Sequence, residues 1–270
     1  MNKISFLKNK AKAVRRLLLT SAFKGKSGHI GSALSTVDII TALYFKVLNV
    51  NPKKPKSPDR DIFILSKGHG CLGLYSTLAL KGFFSVKHLD KYFTDNSLLA
   101  GHPVYGSLPG IEASTGSLGH GLGMGLGMAY TFLGKKQKNH IFVMLSDGEC
   151  DEGSTWETIM LAGHLKTNNL IAIVDYNKIQ SIGRVKDVLD LEPFADKWRA
   201  FNWNVLEMDG HNMSEIVKTL NRAKLSKKGP NVIIAHTVKG KGADFMEDTV
   251  DWHYLNLTPE LLGRALAQQQ

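Results

Sequence analysis

The run IFVMLSDGECDEGSTWETIMLAGHLKTNNLIAIVDYN, from Ile141 to Asn177, decides the fold. Ile141 to Ser146 and Leu170 to Asp175 are unbroken apolar runs of β-forming residues. They lack the polar alternation of a half-solvated sheet, so both read as strands covered on both faces. Between them, Gly153 to Lys166 carries Trp156, Ile159, Met160 and the Ala162–Gly163 pair at helical spacing. Strand, helix and strand at this spacing form a βαβ unit, which demands a parallel sheet and a right-handed crossover.

The same pattern extends outward. Asp61 to Ser66 (DIFILS), Asn231 to His236 (NVIIAH) and Trp203 to Glu207 read as three further strands. The expected fold is α/β: a doubly wound parallel sheet with helices on both faces, residues 1–270 forming one domain. Lys8 to Leu48 reads as two helices, the second starting at Thr36 as N-cap and running to Val47. Asn51 to Asp59 (NPKKPKSPD) interrupts the pattern with three prolines. Ligands of such sheets bind outside the carboxyl ends of the strands, which directs attention to the residues that follow each one.

Composition narrows the function classes. No apolar run is long enough to span a bilayer, and the N-terminus lacks the apolar core of a secretory signal, so no membrane role is expected. The two cysteines, Cys71 and Cys150, are too few for a disulfide framework, and a reducing cytoplasm is the expected compartment. The net charge of +10 raises the question of nucleic acid, but Lys and Arg are scattered and no basic stretch is interleaved with aromatics. A small anionic ligand accounts for the balance equally well.

The first strand of the βαβ unit opens directly into Asp147-Gly148-Glu149, and the second ends in Asp175-Tyr176-Asn177-Lys178. On neighbouring strands, Asp147 and Asn177 would share one sheet edge. A carboxylate and an amide oxygen are hard ligands suited to Mg²⁺ or Ca²⁺, which take at least about six oxygens. A diphosphate and a backbone carbonyl, that of Ile179, would supply more. Gly148 leaves room for a phosphate beside the backbone. An Asp-Gly pair alone signals only a turn; its pairing with Asn177 across a βαβ unit is what points to a site.

The stretch from Leu145 to Gly183 resembles the thiamine diphosphate motif of transketolases, in which Gly-Asp-Gly and a downstream Asn bracket a βαβ unit; here Ser146 replaces the first glycine. Further segments match the family in order: Ser27 to Ser32 (SGHIGS), Ser66 to His69 (SKGH), Gly101 to Pro103 (GHP), Pro109 to Glu112 (PGIE), Ser114 to Gly121 (STGSLGHG), Thr237 to Gly240 (TVKG) and Trp252-His253. The resemblance implies that His69 and Lys239 contact the cofactor diphosphate and that Gly116, Ser117 and Leu118 offer backbone groups to the aminopyrimidine. It implies that Ser32 lies near the thiazolium and that His29, His102 and His253 line the substrate channel, His253 also touching the cofactor. It implies that Glu152 and Glu157 join a carboxylate network across a subunit interface. Tyr254 stands where the family often has glycine, a change that would narrow the channel.

His120 has both a structural and a site reading. His88, His140, His164 and His211 are expected to be structural, His164 packing on the crossover helix, and the two cysteines are expected only to pack.

The resemblance implies transfer of a two-carbon ketol unit from a ketose to an aldose, using thiamine diphosphate and Mg²⁺ or Ca²⁺. The pyrimidine-binding domain with its catalytic glutamate does not follow in this sequence. The expectation is therefore a C-terminal partner subunit in an α₂β₂ heterotetramer, acting on sugars or sugar phosphates and inactive alone. The alternatives are a subunit of a specialised biosynthetic acyl or ketol transferase, a keto-acid decarboxylating subunit, against which His29, His69 and His102 argue, and a non-catalytic cofactor-binding module.

Overall fold

A computed structural model describes residues 2–270. In chain order the elements are α1 (Lys3–Gly25), α2 (Ile30–Leu34), α3 (Val37–Ala42), β1 (Ile62–Leu65), α4 (Cys71–Lys81), α5 (Gly121–Gly134), β2 (Ile141–Ser146), α6 (Gly153–Leu165), β3 (Leu170–Tyr176), α7 (Val185–Val188), α8 (Phe194–Ala200), β4 (Asn204–Asp209), α9 (Met213–Leu225), β5 (Asn231–His236) and α10 (Pro259–Ala267). The strands form one sheet in the order β1-β2-β3-β5-β4, every neighbouring pair parallel.

Every residue of β1, β2 and β3 is buried, as their unbroken apolar runs require. Alternate side chains enter two separate cores. Phe63, Phe142, Met144, Ile171 and Ile233 pack with α1, α3, α4 and α9 on one face. Ile64, Val143, Leu145, Ala172 and Ile234 pack with α5, α6 and α8 on the other. The sheet is therefore doubly wound with helices on both faces, as expected. The edge strand β4 alternates, with Leu206 and Met208 buried and Glu207 and Asp209 exposed.

The amino-terminal reading needs correction. The first helix starts at Lys3, where the Asn2 side chain caps the Ile4 N–H at 3.2 Å. The following turn places His29 in the left-handed region at φ 61°, and α2 separates it from α3. Thr36 does not cap: its hydroxyl turns back to the Ala33 carbonyl at 3.0 Å. Trp203 lies outside β4, because its ring packs on Trp198 at 4.9 Å and its Nε1–H donates to the Ile159 carbonyl at 2.9 Å.

Between Tyr92 and His120 a long segment without helix or strand crosses the carboxyl rim of the sheet. Tyr75 OH donates to the Ala100 carbonyl at 3.2 Å and Cys71 Sγ to that of Gly101 at 3.0 Å. Arg60 clasps Glu112 through two bonds of 2.7 Å. These anchors hold an otherwise irregular chain over the site.

Helix α6 meets the α8–β4 turn so closely that a Cβ on Gly163 would lie 1.9 Å from the Phe201 carbonyl oxygen, whereas one on exposed Gly127 of α5 meets nothing within 4 Å. Chemical denaturation should therefore show Gly163→Ala destabilised by about 1–3 kcal/mol or more. Gly127→Ala should be stabilised by up to about 1 kcal/mol. Equal effects of the two substitutions would contradict this packing.

Candidate functional site

Ser146 pairs with Asp175 in the register of β2 and β3, so the loops carrying Asp147 and Asn177 leave the same rim side by side. A hydrogen bond joins them: the Lys178 N–H donates to Asp147 Oδ2 at 2.5 Å, while the Gly148 N–H donates to Oδ1 at 2.8 Å. Asp147 is only 2% exposed. Burial, reinforced by the nearby Asp175 carboxylate, pushes its carboxyl up to about 7. An acid held in a dry corner by backbone donors is stabilised in its charged form by any cation that arrives. Asn177 lies beside it, its Oδ1 accepting from the Ile179 N–H at 3.1 Å and its Nδ2 donating to Asp175 Oδ2 at 3.0 Å.

These residues form one end of a cleft of about 370 Å³, whose walls include Gly148, Ile179, Ser32, His69, Gly116 and Leu118. Gly116 has φ 142°, and a Cβ there would come within 2.7 Å of the His102 ring. Only glycine allows that backbone and that imidazole to share the wall. Lys239 is 1% exposed; its ammonium donates to the Gln180 carbonyl at 3.1 Å and to His253 Nδ1 at 2.9 Å, with the Ile179 carbonyl at 3.5 Å. Burial and the neighbouring Lys67 lower it to about 8.

Four imidazoles meet above this floor. The His29 ring centroid lies 5.0 Å from that of His253, 5.4 Å from His69 and 6.4 Å from His102. The His29 N–H donates to the His253 carbonyl at 2.7 Å, which fixes the strained left-handed turn. Burial lowers all four below the ordinary histidine range, His69 well below it and His253 to about 3. Lys239 and Lys67 add to the effect at His29 and His253. Near neutral pH the cluster is uncharged, each ring able both to donate and to accept. The Tyr254 ring stands at the mouth, 5.3 Å from His29.

Some residues lie outside the cleft. Ser117 is exposed and its side chain does not line the cleft. Glu152 and Glu157 are exposed at the start and on the outer side of α6. His164 does not pack: Ala162 and Gly163 take the buried positions and it faces solvent. His120 is exposed, its Nδ1 turned to the Leu118 carbonyl at 3.0 Å.

Other groups escape a reading of the sequence. Glu149 is completely buried; it accepts from Ser66 Oγ and from the Gly119 N–H at 3.0 Å, tying the glycine-rich segment to the sheet. Lys67 and Asp175 form an ion pair with both side chains at 0% exposure. The signal is present, since each ends a buried strand run, but a charged residue there reads as the edge of the core rather than part of it. His211 links Asp38 at 3.0 Å to the Val238 N–H at 2.8 Å, a structural role as expected.

Fold and site together define an α/β domain with a buried, histidine-lined cleft at the carboxyl ends of parallel strands. Residues 7–261 match the family described as transketolase, thiamine diphosphate binding domain. The chain is 42% identical to an apulose-4-phosphate transketolase subunit from Phocaeicola vulgatus, covering 94% of this chain and 90% of that one. It is 41% identical to the 6-deoxy-6-sulfo-D-fructose transketolase subunit of a Clostridium species, covering 97% and 95%. The transketolase structure from Campylobacter jejuni superposes with a TM-score of 0.94 at 33% identity, covering 100% of this chain and 43% of that one. The chain belongs to the transketolase family.

The site fits the group this family binds. Asp147 lacks a side-chain cation of its own, His69 lines the same cleft with Lys239 buried behind its Gln180 and His253 wall, and Gly116 leaves its backbone open. Among the described residues no three His, Cys, Asp or Glu side chains gather as a metal site, so a cation here would need oxygens from the ligand and the backbone.

The lowered histidines carry a sign. Between pH 6.5 and each lowered value the unfolded chain binds protons that the folded chain does not, so their contribution to stability falls as pH falls through that window. In an NMR titration of the cofactor-free chain, the His29 and His102 rings should have midpoints below 6.5. A midpoint above 6.5 for His29 would contradict the geometry.

Proposed function

We propose that this chain is the diphosphate-binding subunit of a two-component transketolase, transferring a two-carbon ketol unit from a ketose to an aldose. The observation that carries the reading is the bond from the Lys178 N–H to Asp147, which makes the two loops one site. Three relatives whose names include a transketolase subunit match along nearly their whole lengths, whereas the chain spans only about two fifths of the transketolase structures it resembles. That supports a diphosphate-binding subunit here and a C-terminal subunit that brings the pyrimidine-binding half and its glutamate; α₂β₂ is the proposed assembly. No helix among the described residues is long and apolar enough to cross a membrane, and the cytoplasm is the proposed compartment.

In this reading Asp147, Asn177 and the Ile179 carbonyl hold Mg²⁺ or Ca²⁺, and His69 and Lys239 face the diphosphate with Gly148 beside it. Backbone groups of Gly116, Ser117 and Leu118 meet the aminopyrimidine, and Ser32 and His253 approach the ring nearer the reaction centre. Glu152 and Glu157, exposed on this chain, serve the subunit interface. Thiamine diphosphate, when bound, supplies the electron sink for cleaving the carbon–carbon bond next to the donor carbonyl.

This chain's histidines handle the sugar. Neutral His29 and His102 can each take a hydroxyl proton on one nitrogen while donating from the other, which suits proton transfer near pH 7, and His253 donates to a sugar oxygen from its free nitrogen. Lys239, already bonded to His253 Nδ1, holds that ring in the tautomer with its acceptor at Nδ1 and its N–H at Nε2.

The test combines the chain with a polypeptide carrying the pyrimidine-binding half, thiamine diphosphate, Mg²⁺, a ketose donor and an aldose acceptor. Two-carbon transfer should require both chains. Asp147→Ala should lower it by about 100-fold or more even at high Mg²⁺. Robust transfer by this chain alone, or full activity in the Asp147 variant, would overturn the proposal.

A further inference from the structure

We propose that Asp175 is a positioning residue: by accepting from the Asn177 carboxamide it presents that side chain's oxygen, rather than its NH₂, to the divalent cation. The inference rests on the metal-site reading above and extends it to a residue that would touch neither cofactor nor substrate.

A carboxamide has two orientations of nearly the same shape, and only one offers an oxygen to a cation. Which one is adopted depends on what its far end meets. Asp175 is completely buried, and its carboxylate is surrounded by donors. Oδ2 accepts from the Lys67 ammonium, from Ser35 Oγ at 2.7 Å and from Asn177 Nδ2 at 3.0 Å; Oδ1 accepts from Thr237 Oγ1. An ionised carboxylate can only accept, so Asn177 must turn its NH₂ towards it. The Ile179 N–H, 3.1 Å from Asn177 Oδ1, reinforces the choice from the other end. The reversed amide would set oxygen against carboxylate and NH₂ against both the Ile179 N–H and an incoming cation.

Lys67 makes a carboxylate tolerable there. Its ammonium, with no exposure, neutralises Asp175 and donates to the Ser32 carbonyl at 3.0 Å. Buried ion pairs can often be replaced by uncharged groups without loss of stability, so this pair need not be present for folding alone. It supplies an obligate acceptor at the back of a metal ligand. Ser35 from the α2–α3 turn, Lys67 after β1 and Thr237 after β5 converge on that one acceptor.

The experiment measures Mn²⁺ bound to the full chain by electron paramagnetic resonance, with inorganic pyrophosphate as the diphosphate probe, alongside thermal unfolding. Lys67→Met/Asp175→Asn removes both charges together. It should melt close to the wild type yet bind Mn²⁺ at least about tenfold more weakly, the size expected for an outer-shell partner of a metal. Thr237→Val leaves the ion pair intact and should weaken binding by a smaller factor, about threefold, with Thr237→Ser behaving as wild type; these two carry the test should the double variant fail to fold. A wild-type chain that binds no Mn²⁺ overturns the metal site and this inference with it. Wild-type binding that both the double variant and Thr237→Val retain in full overturns the positioning role alone.

Discussion

Two buried carboxylates sit side by side at the carboxyl rim of this sheet, Asp175 near the end of β3 and Asp147 just after β2, and only one is paired with a cation within the chain. Asp175 is paired with Lys67, whereas Asp147 is held by the N–H groups of Gly148 and Lys178. The arrangement of the surrounding loops follows from that difference. An internal cation fixes the carboxylate of Asp175, and on the proposed function the other takes a cation brought from outside. Asn177 spans the two, bonded to Asp175 through its nitrogen and leaving its oxygen on the side of Asp147 and the Ile179 loop.

The rest of the cleft is positively biased without being highly charged. Lys239 and Lys67 lie under four imidazoles, and the same burial that excludes water keeps those rings neutral. On the proposed function such a pocket takes the diphosphate on its floor and sugar hydroxyls above it. Delivery of the parts depends on irregular chain: His102, Gly116 and Leu118 come from the segment between Tyr92 and His120. That segment is held by Arg60–Glu112, by Tyr75 and by the buried Glu149, so the function of Glu112 and Glu149 is to fix loops rather than to dissolve the surface.

The central βαβ unit is legible in the sequence because both strands are buried on both faces and so leave unbroken apolar runs; β2 and β5 have the very ends that those runs predict. Asp147 and Asn177 are legible for the same reason, since strand ends set their places. Elements governed by tertiary contact are not. The left-handed turn at His29 depends on a bond to the carbonyl of His253, far away in sequence, and no local propensity announces it. Thr36 resembles a cap because its hydroxyl could serve as one; the Ala33 carbonyl takes it instead. Lys67, Asp175 and Glu149 stay hidden because a charged residue at or just past a strand end reads as the solvent boundary, and only their partners from distant parts of the chain reverse that. His164 is pushed to solvent because the neighbouring Ala162 and Gly163 claim the buried side of α6.

The account stands or falls on where a cation goes. Crystals grown with thiamine diphosphate and Mn²⁺, with the partner subunit included, can be measured for anomalous scattering at the manganese edge. A peak is expected between the Asp147 carboxylate and the Asn177 amide oxygen, close to the Ile179 carbonyl. Bound cofactor with that corner empty of metal, or a peak on another rim of the sheet, would contradict it.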